Sequence, residues 1–217
     1  MRIDAKETDP SREPGVEVRL RPVPTSALGP LARAASWVAA RATHGDPPGV
    51  LTTLARHRRL FRYWLPFASS LLRATALPRA DVELVILRTA HNSASWYEWA
   101  QHVALARAAG LDNAAIVQVT EGPEADGWTE RQRALLRATD ELHERRVVTD
   151  RTWQLLAAEL DDNELVELCF VVGHYEMVAM ALNSLGVDAD ESAIEALDPT
   201  AAATADALRL SLAQRRR

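Results

Sequence analysis

Apolar residues along this chain recur at three- and four-residue spacing and nowhere alternate convincingly with polar ones, so the pattern predicts helices throughout. Residues 1–28 are polar and interrupted by Pro10, Pro14, Pro22 and Pro24, and read as an extended arm. An alanine-rich helix is predicted over 31–43, stopped by HGDPPG, and another over 50–65 with Leu51, Leu54, Leu60, Phe61, Trp64 and Leu65 on one stripe. Pro66 should break that helix and restart it as 66–74. Pro78 opens a helix through about residue 88, and Asn92 with Ser93 makes a turn before another that Gly110 closes. Asp112 caps a short helix, 113–119. Thr129 with Gln132, and Asp161 with Glu164, have capping-box form and begin long helices over about 129–146 and 163–185. Thr149 or Asp150 caps a shorter one between them, and a last alanine-rich helix follows Asp198 and Pro199. The expected fold class is all-α.

The candidate chemistry lies in DVELVILRTAHNSASWYEWAQHVALARAAG, residues 81–110. If one helix ran from His91 to Arg107, then at roughly 100° per residue His91, Ser95, Glu98 and His102 would share a narrow face. Trp96, Tyr97 and Trp99 flank that polar seam, and together with Trp64 and Phe67 they could wall a pocket or simply fill a core. Glu83, upstream, could return to the same place across a tight turn. Glu98 and His102, four apart, can share a proton, and an apolar wall would raise the carboxyl pKa toward the range useful for proton transfer beside a carbonyl. The plainer readings stand alongside. Glu98 and His102 could be an exposed helical ion pair, Ser95 and Glu98 an S-x-x-E capping box, Glu83 a first-turn acid suited to the helix dipole, and His91 a turn histidine. A metal held by His91, Glu98 and His102 is disfavoured, because three turns of helix span about 16 Å.

Composition removes several alternatives. The chain has 217 residues, 47% hydrophobic and 25% charged, enough for one good-sized domain or two small ones. A net charge of −5 argues against nucleic acid as the main partner. No run of about 18 apolar residues or secretory leader pattern is seen, so no membrane partner and a cytoplasmic location are expected. Cys169 is the only cysteine, excluding an internal disulfide, and its ELCFVV setting predicts a buried, inert thiol. Lys6 is the only lysine, which disfavours Schiff-base chemistry, and no glycine-rich phosphate loop is present. No cofactor is expected.

ELVILRTAHNSASWYEWAQHVALARAAGL and the later ELVELCFVVGHYEMVAMALNSLGV form a weak repeat, sharing ELV, a YE pair and a terminal glycine. Only the first copy keeps the polar seam, although His174, Tyr175 and Glu176 of the second could border a pocket. With Glu83, the YEWxxH run and the order of helices, residues 50–187 resemble the carboxymuconolactone decarboxylase and alkylhydroperoxidase D-like superfamily. The resemblance implies an all-helical domain over 29–187, followed by a C-terminal helix and basic tail over 188–217. It also implies a homo-oligomer (dimer, trimer or hexamer) acting on a small-molecule substrate. The peroxidase branch of that superfamily uses E-x11-C-x-x-C-x3-H, which falls here on Glu83, Ser95, Glu98 and His102. Both cysteine positions are replaced, so a peroxidase-like redox activity is disfavoured. What the resemblance then implies is cofactor-free acid–base catalysis, of lyase or isomerase type, on a carboxylated, lactone or enol-type substrate. His102 would be the proton shuttle, tuned by Glu98 and Glu83, with Ser95 or Tyr97 holding a substrate oxygen. A catalytically silent helical ligand-binding protein is the alternative.

Overall fold

A computed structural model describes residues 18–43, 45–73 and 75–216. The expectations for residues 1–17, including Lys6, Pro10 and Pro14, and for His44 lie outside the described residues. Pro30–Thr43 (α1), Gly49–Leu54 (α2) and Arg58–Arg73 (α3) precede a tightly packed centre. That centre comprises Arg79–Asn92 (α4), Trp96–Ala108 (α5), Glu130–Arg145 (α7) and Asp162–Leu185 (α9), with Asn113–Gln118 (α6) and Asp150–Glu159 (α8) between them in sequence. Glu191–Glu195 (α10) and Pro199–Arg215 (α11) complete the chain, and no strand occurs among the described residues.

α4 is the pillar. It packs against α5, α7 and α9 at once, and Asp81–Leu87, Thr89 and Ala90 are all buried. A helix covered on every side needs apolar residues all round, and ADVELVILRTA supplies them. It separates two cores. On one side Leu84 and Leu87 meet Trp96, Trp99 and Val103 of α5, Leu136 of α7 and Ala201, Ala205, Leu208 and Leu212 of α11. On the other side Val82, Val85 and Ile86 meet Leu135 of α7, Leu156 of α8, and Leu168, Val171 and Val172 of α9. The described part of the arm is tied down: the Arg19 and Leu20 amides donate to Leu185 O and the Val23 amide to Thr52 O.

Both expected capping boxes form, at Thr129/Gln132 and Asp161/Glu164, and the side chains of Asp112, Thr149 and Asp198 cap their helices. Gly186 takes the left-handed conformation (φ 71°) that ends α9. Four expectations are corrected. The helix expected over 50–65 is two, α2 and α3, with a turn at residues 55–57 between them. α3 runs through Pro66 without a break, since packing of buried Phe61, Ala68 and Leu71 outweighs the lost backbone hydrogen bond. No single helix runs from His91 to Arg107, because α4 ends at Asn92 and a turn with Ala94 at φ 50° precedes α5. Cys169 is exposed on α9 rather than buried, because its apolar neighbours in sequence face different sides of the helix; partial burial still pushes its thiol up.

α4 is also anchored electrostatically. Arg88 makes a two-pronged pair with Asp140 of α7, at 2.6 and 2.9 Å, and donates to Val119 O and Thr120 O in the loop after α6. Asn92 donates to the same carboxylate at 2.8 Å. Removing this guanidinium would strand a half-buried carboxylate and two carbonyls. Arg88→Ala is therefore expected to lower unfolding free energy by about 2–4 kcal/mol in urea denaturation. A loss below about 0.5 kcal/mol, the level of an exposed pair, would contradict the anchoring role.

Candidate functional site

The polar cluster sits where α4, α5 and α9 meet. Glu83, fully buried on α4, is held from two directions. Arg79, one turn earlier on the same helix, pairs with one carboxylate oxygen, and His102 Nδ1 of α5 meets the other at 2.7 Å. Arg79 also donates to Leu72 O, so its guanidinium is fixed. A carboxylate only accepts, so Nδ1 carries a proton, and in the neutral imidazole the other nitrogen, Nε2, keeps its lone pair. The partner of His102 is thus Glu83 and not, as its helical spacing suggested, Glu98. Sequence reasoning missed Arg79 altogether, though its i, i+4 spacing from Glu83 was the available signal.

Glu98 is buried in the first turn of α5, and neither carboxylate oxygen has a hydrogen-bonding partner. Burial pushes its carboxyl from 4.5 up to about 8. The nearby Ser95 hydroxyl offsets part of that rise, and the charge of Glu176 adds to it. Ser95 occupies the N-cap position, but its side chain makes no capping bond and its Oγ is buried without a partner of normal geometry. The expected Ser95–Glu98 capping box does not form. Two buried carboxyls thus act on Tyr175, Glu83 ion-paired and Glu98 pushed by burial toward its neutral form at pH 7.

α9 supplies the cover. The Tyr175 ring meets His102 edge-on at 5.0 Å, and His174 meets Tyr175 edge-on at 5.2 Å. His174 stacks on Trp64 at 6.2 Å and meets Phe67 edge-on at 5.3 Å. Its Nδ1 is buried without a partner, and burial together with the nearby His102 holds its pKa down to about 4. The Tyr175 hydroxyl is pushed well up, by burial and then by the charges of Glu83 and Glu98. Trp64 and Phe67 therefore border this cover. Glu176 turns the other way, accepting from Ser93 at 3.0 Å and meeting His143 at 2.5 Å.

The remaining candidates have other surroundings. Trp99 is buried in the core and donates to Ala201 O at 3.1 Å, and Trp96 lies under Arg209 in that same core. The Tyr97 hydroxyl accepts from the Val50 amide and donates to Asp190, tying α5 to α2 and α10. His91 ends α4, two turns beyond Glu83, where burial and then the Arg88 charge hold its pKa down. Among the described residues no three His, Cys, Asp or Glu side chains converge as a metal cage.

Residues 58–141, which include Glu83, Ser95, Glu98 and His102, match the carboxymuconolactone decarboxylase family. No curated protein matches the chain in sequence. Among solved structures, an uncharacterised peroxidase-related protein with an alkylhydroperoxidase AhpD core from Ralstonia eutropha JMP134 superposes with a TM-score of 0.73 at 19% identity, over 82% of this chain and 95% of its own. A second peroxidase-related protein, from Silicibacter sp. TM1040, gives 0.71 at 14% identity over 86% and 96%. A variant of the debrominase Bmp8, in complex with 2,3,4-tribromopyrrole, gives 0.71 at 11% identity over 89% and 99%. The family match runs from α3 into α7, across the glutamate–histidine pair, on a helical fold shared over most of the chain. Residues 58–141 therefore carry the sequence pattern of the carboxymuconolactone decarboxylase family, within a helical fold similar to that of the alkylhydroperoxidase AhpD core.

Proposed function

We propose that this protein is a cofactor-free acid–base enzyme for a small carboxylated, lactone or enol-type substrate. The observation that carries the reading is the buried Glu83–His102 pair, with a second buried carboxyl, Glu98, one turn before His102 on α5. Glu83 fixes the His102 ring through Nδ1, which leaves Nε2 to take or return a proton at a carbon beside a carbonyl. Glu98, held neutral by burial, has a proton to donate to the oxygen on which negative charge develops. Ser95, at the start of α5, can hold a substrate oxygen there. The sequence lacks both cysteines of the peroxide-reducing pattern, and exposed Cys169 on α9 is no substitute for a resolving pair.

One observation favours a second reading. Glu83, Glu98 and His102 are all more than nine-tenths buried, beneath Tyr175 and His174, as in a closed ligand-binding protein without turnover. Enzymatic turnover requires this cover to move. A panel of lactones and keto acids separates the two: thermal stabilisation without product would favour the silent binder.

His102→Ala and Glu98→Gln are each expected to lower turnover at least a hundredfold with the far-UV helical signal intact. Unchanged turnover in both variants would remove the mechanism. A pH dependence follows from Glu98. Folding keeps a proton on a carboxyl that ionises near its ordinary 4.5 in the unfolded chain, so the folded state binds more protons between about pH 5 and pH 8. Stability should therefore fall as pH rises through that window. Glu98→Gln, which cannot ionise, should flatten the fall in thermal melts. Parallel curves for wild type and variant would contradict a neutral buried Glu98.

A further inference from the structure

Glu176, the residue after Tyr175, faces a second cavity, of about 520 Å³, that the acid–base cluster does not use. The turn after α4, the C-terminal ends of α7, α9 and α11, and the described part of the N-terminal arm enclose it. Four arginines line it from three distant parts of the sequence: Arg19, Arg146, and Arg215 with Arg216. Glu176 is the only carboxylate among the described residues of the lining. A chain of net charge −5 thus gathers a surplus of positive charge in one concavity.

Helix capping accounts for part of this gathering. Arg19 donates to Ser184 O at 3.3 Å and Arg216 to Asn183 O, both carbonyls in the last turn of α9, where cations suit the helix dipole. A carbonyl bond fixes such a head in place without neutralising its charge. Capping of α9 does not account for Arg146. It ends α7 at φ 63°, a left-handed conformation that side chains disfavour and that glycine normally fills. Its side chain is 68% exposed and lies 3.5 Å from Glu176, a pair too loose and too solvated to repay that strain. Strain kept without structural return points to a role for the side chain itself.

The floor of the cavity is polar and tied together. Ser93 Oγ donates to Glu176 Oε1 at 3.0 Å, and His143 Nδ1 meets the same oxygen at 2.5 Å. Asn183 donates to Ser93 O at 2.9 Å, which fixes α9 against the turn after α4. Hydroxyl and imidazole are each bound to the carboxylate and not to each other, so no base activates the serine. The arrangement suits binding and not a second reaction. Met180 and Leu212 add an apolar wall for the carbon body of a ligand. The volume is that of a small-molecule site, and guanidinium forks match the paired oxygens of carboxylates and phosphates.

We propose that this cavity binds a small organic dianion, a dicarboxylate or a phosphate monoester, with Arg146 and Arg215 as its principal charge partners. The site shares no residue with Glu83, Glu98 and His102, and its test reads binding without turnover. Titration calorimetry of the full chain at fixed ionic strength, with succinate and with phenyl phosphate, should show saturable binding of at least one at one molecule per chain. The tighter of the two identifies the head group, and acetate should not saturate in the same range. Arg146→Gly/Arg215→Ala should weaken binding at least about tenfold. That variant should melt no lower than the wild type, because glycine suits the left-handed end of α7. Arg59→Ala/Arg62→Ala removes the same charge from exposed positions on α3 and should change affinity less than about twofold. Saturation by neither dianion would overturn the proposal. So would acetate binding as tightly, or equal weakening in the two double variants.

Discussion

A carboxylate with no access to water constrains this molecule more than any other single group. Glu83 lies on a helix covered on every side, where an unpaired charge would be costly enough to unfold or reshape its surroundings. Arg79 and His102 compensate it, and each must be placed by something else: Arg79 by the turn of α4 and the Leu72 carbonyl, His102 by the packing of α5 on α4. The relative register of α4 and α5 is thereby fixed by an ion pair as well as by Leu84, Leu87, Trp99 and Val103. Trp99, through its bond to Ala201 O, and Tyr97, through Asp190, lock α5 from the far side. Residues that read from sequence as pocket wall thus hold the imidazole where Glu83 can reach it.

From this arrangement follows a division between two acids of the same type. Glu83 has cationic and imidazole partners; Glu98, fifteen residues on and also buried, has none. Environment alone lets one anchor the histidine as an ion-paired carboxylate and pushes the other up to about 8, toward its neutral form at pH 7. His174 illustrates the converse: packed among Trp64, Phe67 and Tyr175 with its pKa held down to about 4, it stays neutral and backs Tyr175, the ring that meets His102.

Much of the fold was legible because helix ends are written in local chemistry. Thr129/Gln132, Asp161/Glu164, Asp198-Pro199 and Gly186 state where helices begin and stop. The failures came where tertiary contacts overrode local signals, as at Pro66 within α3, or where a face was assigned from one helix that is really two. Glu83, Glu98 and His102 could be picked out by residue type and spacing, but not the partner of each. The spacing rule favoured Glu98 for His102 because it sees only one helix, whereas the actual partner crosses from α4. Arg79, Tyr175 and His174 enter the cluster through that same crossing of α4, α5 and α9, which no local pattern encodes.

The central claim is that burial keeps the Glu98 carboxyl protonated, one helical turn before the imidazole that Glu83 orients. Its most direct measurement is a carbon-detected NMR titration of the side-chain carboxyls in protein carrying labelled glutamate. One resonance should titrate near pH 8 and be missing from Glu98→Gln. If the resonance lost in that variant instead titrates in the ordinary range near 4.5, Glu98 is an ionised group at neutral pH and the acid–base account is contradicted.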